Sequence, residues 1–205
     1  MATEPPAPYR RLKRLLDLAA AGPLLVAALP LLLGLMLAIR LDSPGPALFV
    51  QTRVGYRGRR FRMFKLRTMA VNAEQRLPSL RQPGDGPVFK LADDPRVTRV
   101  GRWLRRASLD ELPQLLNVLR GEMSLVGPRP LPPDQVDPAD PRFIRRTLAL
   151  PGLSGLWQVQ GRAMHFDYDR WLTMDLTYVE QCSLTLDLAI AARTPAAVWR
   201  GEGAC

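Results

Sequence analysis

The chain has 205 residues and a formal net charge of +10, carried almost wholly by arginine, since lysine occurs only at positions 13, 65 and 90. That length suffices for one domain with a real core, and the charge calls for anionic partners: nucleic acid, anionic lipid or phosphorylated substrate. Two cysteines, Cys182 and Cys205, and a single histidine, His165, argue against a disulfide framework, a zinc site and a Ser-His triad, and make a reducing compartment the default.

Residues 1–8 are proline-rich and are expected to be disordered. Tyr9-Arg10-Arg11-Leu12-Lys13-Arg14 is a basic run, and from Leu18 to Ile39 there is no charge at all. The uncharged stretch has about the length that crosses a bilayer as a helix. A signal peptide is the poorer reading, because the apolar part is too long and no small-residue cleavage site follows. A spanning helix and a re-entrant helix–break–helix both fit the length. Pro23 and Pro30 interrupt the segment, Pro30 near its middle, where a proline kinks or breaks a helix. Both flanks are basic, which keeps both on the cytoplasmic side. These two features favour a re-entrant anchor over residues 9–41 broken at Pro30, followed by a cytoplasmic body over 42–205.

Asp42-Ser43-Pro44-Gly45-Pro46 reads as a turn. Residues 47–54 and 60–69 alternate with period two on either side of Gly55-Tyr56-Arg57-Gly58, so they read as a β-hairpin. Arg60, Arg62 and Lys65 charge one of its faces, which suits either an anionic site or plain solvation. Residues 71–80 read as a short polar helix, and 81–87 as a loop able to close over a site. Asp93-Asp94-Pro95 reads as the cap of the next helix. Arg96, Arg99, Arg102, Arg105 and Arg106 then crowd one face, opposite Val100, Trp103 and Leu104.

The most informative stretch runs from Ser108 to Asn117. Ser108 and Glu111 have capping-box spacing, and Leu112, Leu115, Leu116 and Leu119 follow the helical period. Asp110 and Glu111 therefore fall in a first helical turn, where Pro113 is tolerated. Adjacent carboxylates among arginines suit phosphate chemistry: guanidinium binds phosphate in bidentate fashion, one carboxylate can act as nucleophile, and the other can hold a divalent cation. The plain alternative is an acidic helix cap.

Gly127-Pro128-Arg129-Pro130 is a rigid turn carrying another guanidinium, and residues 131–141 form a Pro- and Asp-rich loop. A short helix over 142–150 follows. Pro151 to Arg162, with its glycines, Trp157 and Arg162, reads as a flexible loop over a ligand, although core packing is the commoner fate of a lone Trp. Residues 166–180 and those from Leu184 onward have helical character. Trp199 and Arg200 near the end of the last helix suit a membrane interface.

Taken in order, these motifs resemble the bacterial sugar transferase family, the monotopic phosphoglycosyl transferases. The resemblance runs from about residue 9 to the C-terminus. It rests on Lys13-Arg14…Asp17, the proline-broken apolar segment, Lys65-Leu66-Arg67-Thr68-Met69, Asp94-Pro95-Arg96-Val97-Thr98, Ser108-Leu109-Asp110-Glu111-Leu112-Pro113-Gln114, Val126-Gly127-Pro128-Arg129-Pro130, Pro151 to Val159, and Asp187-Leu188. The chain looks like the minimal catalytic form. Leu29-Pro30 stands where members often carry Ser-Pro, and Cys182 stands where an aromatic is common.

The resemblance implies an α+β, mostly helical fold: a re-entrant membrane helix, a small β-hairpin and a helical catalytic domain with interfacial amphipathic helices. It implies transfer of a sugar 1-phosphate from a UDP-sugar to undecaprenyl phosphate, releasing UMP, as the first membrane step of exopolysaccharide, capsule, O-antigen or glycoprotein glycan assembly. Asp110 would be the nucleophile of a covalent phosphosugar intermediate, and Glu111 with Asp110 would hold Mg²⁺. Arg105, Arg129, Lys65, Arg67, Trp157 and Arg162 would bind phosphate or substrate, and Pro30 would mark the membrane break. Expected partners are membrane lipids and, further along, downstream glycosyltransferases, but no nucleic acid; the expected location is the cytoplasmic face of the inner membrane. The sugar, the pathway and the oligomeric state stay open. Two other readings use the same features. A membrane-anchored nucleic-acid-binding protein lacks any helix-turn-helix, zinc or RNA-recognition signature. A non-catalytic scaffold, with Asp110 and Glu111 as a cap, would not release UMP.

Overall fold

The computed structural model describes residues 4–76, 91, 94–137, 139–160 and 168–200. The fold is α+β and mostly helical. Helix α1 spans Ala7–Asp42, and an antiparallel hairpin of β1 (Leu48–Val54) and β2 (Arg60–Leu66) follows. Helices α2 (Arg99–Arg106) and α3 (Leu115–Arg120) flank a 3-10 turn over Leu109–Gln114. Strand β3 (Ser124–Val126) pairs in parallel with β4 (Gly152–Ser154), with helix α4 (Pro141–Arg146) between them. Helices α5 (Leu156–Gln160), α6 (Tyr168–Gln181) and α7 (Leu184–Arg200) complete the chain.

By length and composition α1 is long and apolar enough to cross a membrane. Pro23 and Pro30 lie inside it and do not divide it, so the expected break at Pro30 is corrected to one helix carrying two prolines. A proline inside a helix removes one hydrogen bond and costs about 3 kcal/mol, and contacts along the helix offset this. Near its start, Lys13 pairs with Asp187 at 2.8 Å, and Arg14 donates to the carbonyl of Leu119 at 2.9 Å. The Asp17 carboxylate accepts from the Leu125 N–H. Ala21 packs with Leu115, Val118 and Met123, while Leu32, Leu35 and Ile39 pack with Ala47, Leu66 and Leu104. At the far end, Asp42 accepts from the N–H of Val100 at the start of α2. The opposite face leaves Leu24, Val26, Leu29, Leu33, Leu37 and Leu41 exposed. Helix begins at Ala7, inside the stretch expected to be disordered, and Glu4 accepts hydrogen bonds from Tyr56 and Arg57.

The hairpin forms as its alternation predicts, with Leu48 opposite Leu66 and Val54 opposite Arg60. Phe61 and Met63 point into the core, and Arg60 and Arg62 point out. Helix α2 is capped by Thr98, whose Oγ1 accepts from the Gly101 N–H at 3.0 Å; the expected Asp93–Asp94 cap gives way because Asp94 is ion-paired with Arg96, and residue 93 lies outside the described residues. The segment from Pro151 is not a flexible loop. A Cβ on Gly152 would lie 2.0 Å from the Gly127 nitrogen, and one on Gly155 would lie 2.3 Å from the Gly127 carbonyl. These glycines permit close backbone packing rather than motion. The helical expectations for residues 142–150, 166–180 and 184 onward are met by α4, α6 and α7; α4 ends early at Arg146, α7 starts at Leu184, and 166–167 lie outside the described residues. Residues 71–76 form turns, and 77–90, with the expected loop at 81–87, lie outside the described residues.

Candidate active site

Ser108 holds the key to the local geometry. It adopts φ 53°, ψ 21°, in the left-handed region, and makes no capping hydrogen bond. A left-handed residue cannot present its hydroxyl to the following N–H groups as a β-region N-cap does. The expected capping box is therefore replaced by a tighter 3-10 turn, and α-helix starts only at Leu115. Glu111, released from capping, turns its carboxylate toward the hairpin and the 127–130 turn.

Asn117 aligns the parts. It is fully buried; its Oδ1 accepts from the Phe64 N–H at 3.1 Å, and its Nδ2 donates to the Arg62 carbonyl at 2.7 Å. The side chain thereby acts as a neighbouring strand for β2 and fixes the residue next to Phe64 over the turn. That residue is Lys65, whose Nζ lies 3.1 Å from Glu111 Oε1. Arg129 Nη2 reaches the same oxygen at 2.9 Å. Two cations thus hold one carboxylate oxygen, a charge-assisted arrangement that fixes all three side chains.

Asp110 sits beside them, 8% exposed. Among the described residues nothing donates a hydrogen bond to its carboxylate. Burial pushes its pKa above the usual carboxylate value; Lys65 pulls it down, Glu111 pushes it up, and Arg105 and Arg129 pull it down. Burial lowers the Lys65 pKa, with Glu111 opposing. The Arg129 pKa is raised, chiefly by Glu111. Lys65 and Arg129 act on both carboxylates and Arg105 on Asp110, so among the described residues three cations gather about the pair.

The structure brings together four of the residues expected at the site: Asp110, Glu111, Lys65 and Arg129. Arg105 is close enough to act on Asp110, and its Nε donates to Thr68 Oγ1 at 2.9 Å. Arg67 is elsewhere. It is buried, and its guanidinium donates to the carbonyls of Ile39, Ser43 and Pro44, closing the C-terminal end of α1 rather than joining Lys65 and Arg129 at Glu111. Trp157 is buried and packs with Leu131, Phe143 and Trp171 in the core. Arg162 lies outside the described residues, as does His165. Pro30 lies within α1, away from the carboxylates in the chain but on the helix that packs below them.

Three residues escaped the sequence reading. Arg53, on β1, donates to the Pro130 carbonyl at 3.1 Å and to Gln51; burial, then the nearby Arg129, brings its pKa down to about 10. Arg146 and Asp175 form a buried ion pair behind Arg129. The sequence carries little signal for these residues, since Arg146 is one of three arginines in α4 and Asp175 one of several charged residues in α6.

Two adjacent carboxylates lie beside lysine and arginine, on a turn packed over a long apolar helix. The model of the bacterial sugar transferase family matches residues 8–201, and the chain belongs to that family. Over 192 residues it is 47% identical to the UDP-glucose:undecaprenyl-phosphate glucose-1-phosphate transferase of Caulobacter vibrioides, covering 89% of this chain and 67% of that protein. It is 41% identical over 203 residues to the undecaprenyl-phosphate galactose phosphotransferase of Salmonella typhimurium, covering 95% of this chain and 42% of the relative. The exopolysaccharide production protein ExoY of Sinorhizobium fredii is 39% identical over 197 residues, covering 93% of this chain and 87% of that protein. The chain thus spans less than half the length of some relatives it matches.

Proposed function

We propose that this chain transfers a sugar 1-phosphate from a UDP-sugar to undecaprenyl phosphate by way of Asp110. The observation that carries the reading is the contrast between neighbours. Glu111 is clamped by Lys65 and Arg129, while Asp110 is buried with no donor on its oxygens among the described residues. A desolvated, unshared carboxylate is a better nucleophile than a hydrogen-bonded one.

In the first step an Asp110 oxygen bonds to the sugar-bearing phosphorus, and that phosphorus loses its bond to the bridging oxygen. UMP leaves with the electron pair. In the second step a phosphate oxygen of undecaprenyl phosphate bonds to the same phosphorus. The bond to Asp110 breaks, and the carboxylate is regenerated with undecaprenyl-diphosphate-sugar as product. Each transition state gathers charge on phosphoryl oxygens, and Arg129, Lys65 and Arg105 are preorganised cations for it. Asp110 and Glu111 supply oxygen donors only, and no cluster of three or more metal-ligating side chains occurs among the described residues. That set fits Mg²⁺, which completes its shell with water and substrate phosphate; when bound it would neutralise phosphate charge.

The anchor supports a placement on the cytoplasmic face of the inner membrane. Lys13 and Asp42, near opposite ends of α1, both bond to the body that carries the site. The outward face of α1 is apolar. A helix tied to one body at both ends, with basic flanks, meets the bilayer from one side. The relatives' names point to glucose and galactose donors and to exopolysaccharide synthesis, and a panel of UDP-sugars identifies the donor for this chain. The test is UMP release by the purified protein with undecaprenyl phosphate, together with the intact mass after donor alone. The expected results are UMP and a mass increase of one phosphosugar. No UMP and no adduct with any UDP-sugar overturns the reading.

A further inference from the structure

The segment Gly127–Leu131 carries Arg129, and it contains two prolines, Pro128 and Pro130, which have no N–H and a fixed φ. Its carbonyls account for the rest of its rigidity. The Pro128 carbonyl accepts from the Gly152 N–H at 2.9 Å, and the Leu131 carbonyl from the Val54 N–H at 2.8 Å. The two carbonyls between them are held by side chains: Arg146 Nη2 donates to Arg129 O at 2.7 Å, and Arg53 Nη1 donates to Pro130 O at 3.1 Å. Four consecutive carbonyls are thereby tied to β1, β4 and two guanidinium groups.

Arg146 is the more demanding of the two. It is 5% exposed, stacks on Trp171 with its guanidinium carbon 5.2 Å from the ring centroid, and pairs with Asp175, which is 1% exposed. One nitrogen, Nη2, bonds both Asp175 and the Arg129 carbonyl. The pair therefore holds the Arg129 peptide through its carbonyl, with Asp175 fixing the guanidinium that reaches it. Buried ion pairs are as a rule no more stabilising than apolar residues of the same volume, so stability alone gives no reason for this one.

We propose that Arg146 and Asp175 are positioning residues for Arg129, fixing the backbone from which its side chain reaches Glu111. The inference rests on the transferase reading above. An arginine has a long, flexible side chain, and a displacement of about 1 Å at a phosphate-binding group lowers turnover roughly 100-fold. The function of the pair is the geometry of the turn.

The experiment compares native protein with the double variant Arg146→Met/Asp175→Leu in UMP release with saturating donor and acceptor. Apolar replacement keeps the volume and removes both charges. The expected result is a folded protein with a thermal midpoint near that of the native one, kcat lowered about 10- to 100-fold, and KM for the UDP-sugar changed far less. A folded double variant with native kcat overturns the proposal. Should it fail to fold, Arg146→Lys decides: the shorter side chain keeps the pair with Asp175 and gives up the Arg129 carbonyl. A kcat lowered at least about fivefold supports positioning, and native kcat overturns it. Native protein inactive with every donor would instead remove the transferase reading.

Discussion

Asp110→Asn separates stability from function. The substitution keeps the shape of the side chain and removes its charge. The folded-state pKa of Asp110 is raised, first by burial and only partly offset by Lys65, above the unfolded value of about 3.9. A raised carboxylate pKa means that the folded state favours the protonated form. The stability that this confers is complete below the unfolded pKa and is lost as pH rises through the folded one. At pH 7 the ionised carboxylate is therefore a net burden on the fold. Asparagine removes it, for a gain of about 1–2 kcal/mol, the size usual when a strained site residue is relieved. For a chain of this length that gain corresponds to a rise of roughly 2–8 °C in thermal midpoint. The rise should shrink as pH falls toward the unfolded value of about 3.9, because folded Asp110 is then protonated and its charge no longer burdens the fold. Turnover should fall on the order of 10³-fold or more, since an amide is a poor nucleophile. The assay is thermal unfolding of both proteins in detergent between pH 4 and 8, beside UMP release at pH 7.5. A variant less stable than native at pH 7, or a gain independent of pH, refutes the electrostatic argument. A variant with near-native turnover refutes the nucleophile.

EDTA should abolish UMP release and Mg²⁺ should restore it, whereas full activity in thoroughly chelated buffer removes the metal. Arg67→Ala should lower stability by about 2–4 kcal/mol, because three carbonyls lose a charged donor, while KM for the UDP-sugar stays within about twofold, a margin that separates packing from substrate contact; denaturant midpoints and kinetics check the two halves. Single cysteines at Pro6 and Pro46, both exposed and flanking α1, in a background lacking Cys182 and Cys205, should resist an impermeant thiol reagent in whole cells and react in opened ones. Labelling at position 6 from outside would identify a spanning helix.

What the sequence reading reached was set by the range of the forces involved. Period-two alternation in β2 and the apolar periods of α2, α6 and α7 are local, and the elements formed where the patterns lie. The charged cluster was also legible, because adjacent carboxylates in an arginine-rich stretch are a local signal. The errors came from distant partners. Lys65 and Arg67 stand in one motif of the resemblance, Lys65-Leu66-Arg67-Thr68-Met69, so both were expected at the site. The strand ends at Leu66, and Arg67 turns to the end of α1 more than twenty residues earlier. Ser108 has the residue type of a cap but a left-handed backbone. Pro30 is a helix breaker by local rule, yet the contacts of Leu32, Leu35 and Ile39 hold the helix beyond it. Arg53, Arg146 and Asp175 went unnoticed because their partners are backbone carbonyls or side chains 17 to 77 positions away, and no short motif encodes such a bond.

The pairing of the cations explains how the site can be both built and reactive. Had Lys65 and Arg129 bonded to Asp110, the proposed nucleophile would have been ordered at the expense of lone pairs that accept from no donor among the described residues. They bond instead to Glu111, one residue on in the same 3-10 turn. The turn is then anchored through Glu111, and the field of both cations still acts on Asp110. The other side of the turn is held by apolar contact: Leu109 and Leu112 pack in the cluster that includes Leu25 and Ala28 of α1. The height of Asp110 above α1 is thus set by side-chain packing, which resists displacement because protein interiors are close-packed. If the exposed face of α1 meets lipid, that same packing sets the height of Asp110 above the bilayer. A phosphate carried on a lipid would then reach the carboxylate without leaving the headgroup layer, and Leu112→Ala, which loosens this contact, should slow transfer to the lipid acceptor more than formation of the phosphosugar adduct from soluble donor. Equal slowing of both half-reactions, measured by adduct mass and by lipid product, would show that the contact serves the turn and not its depth.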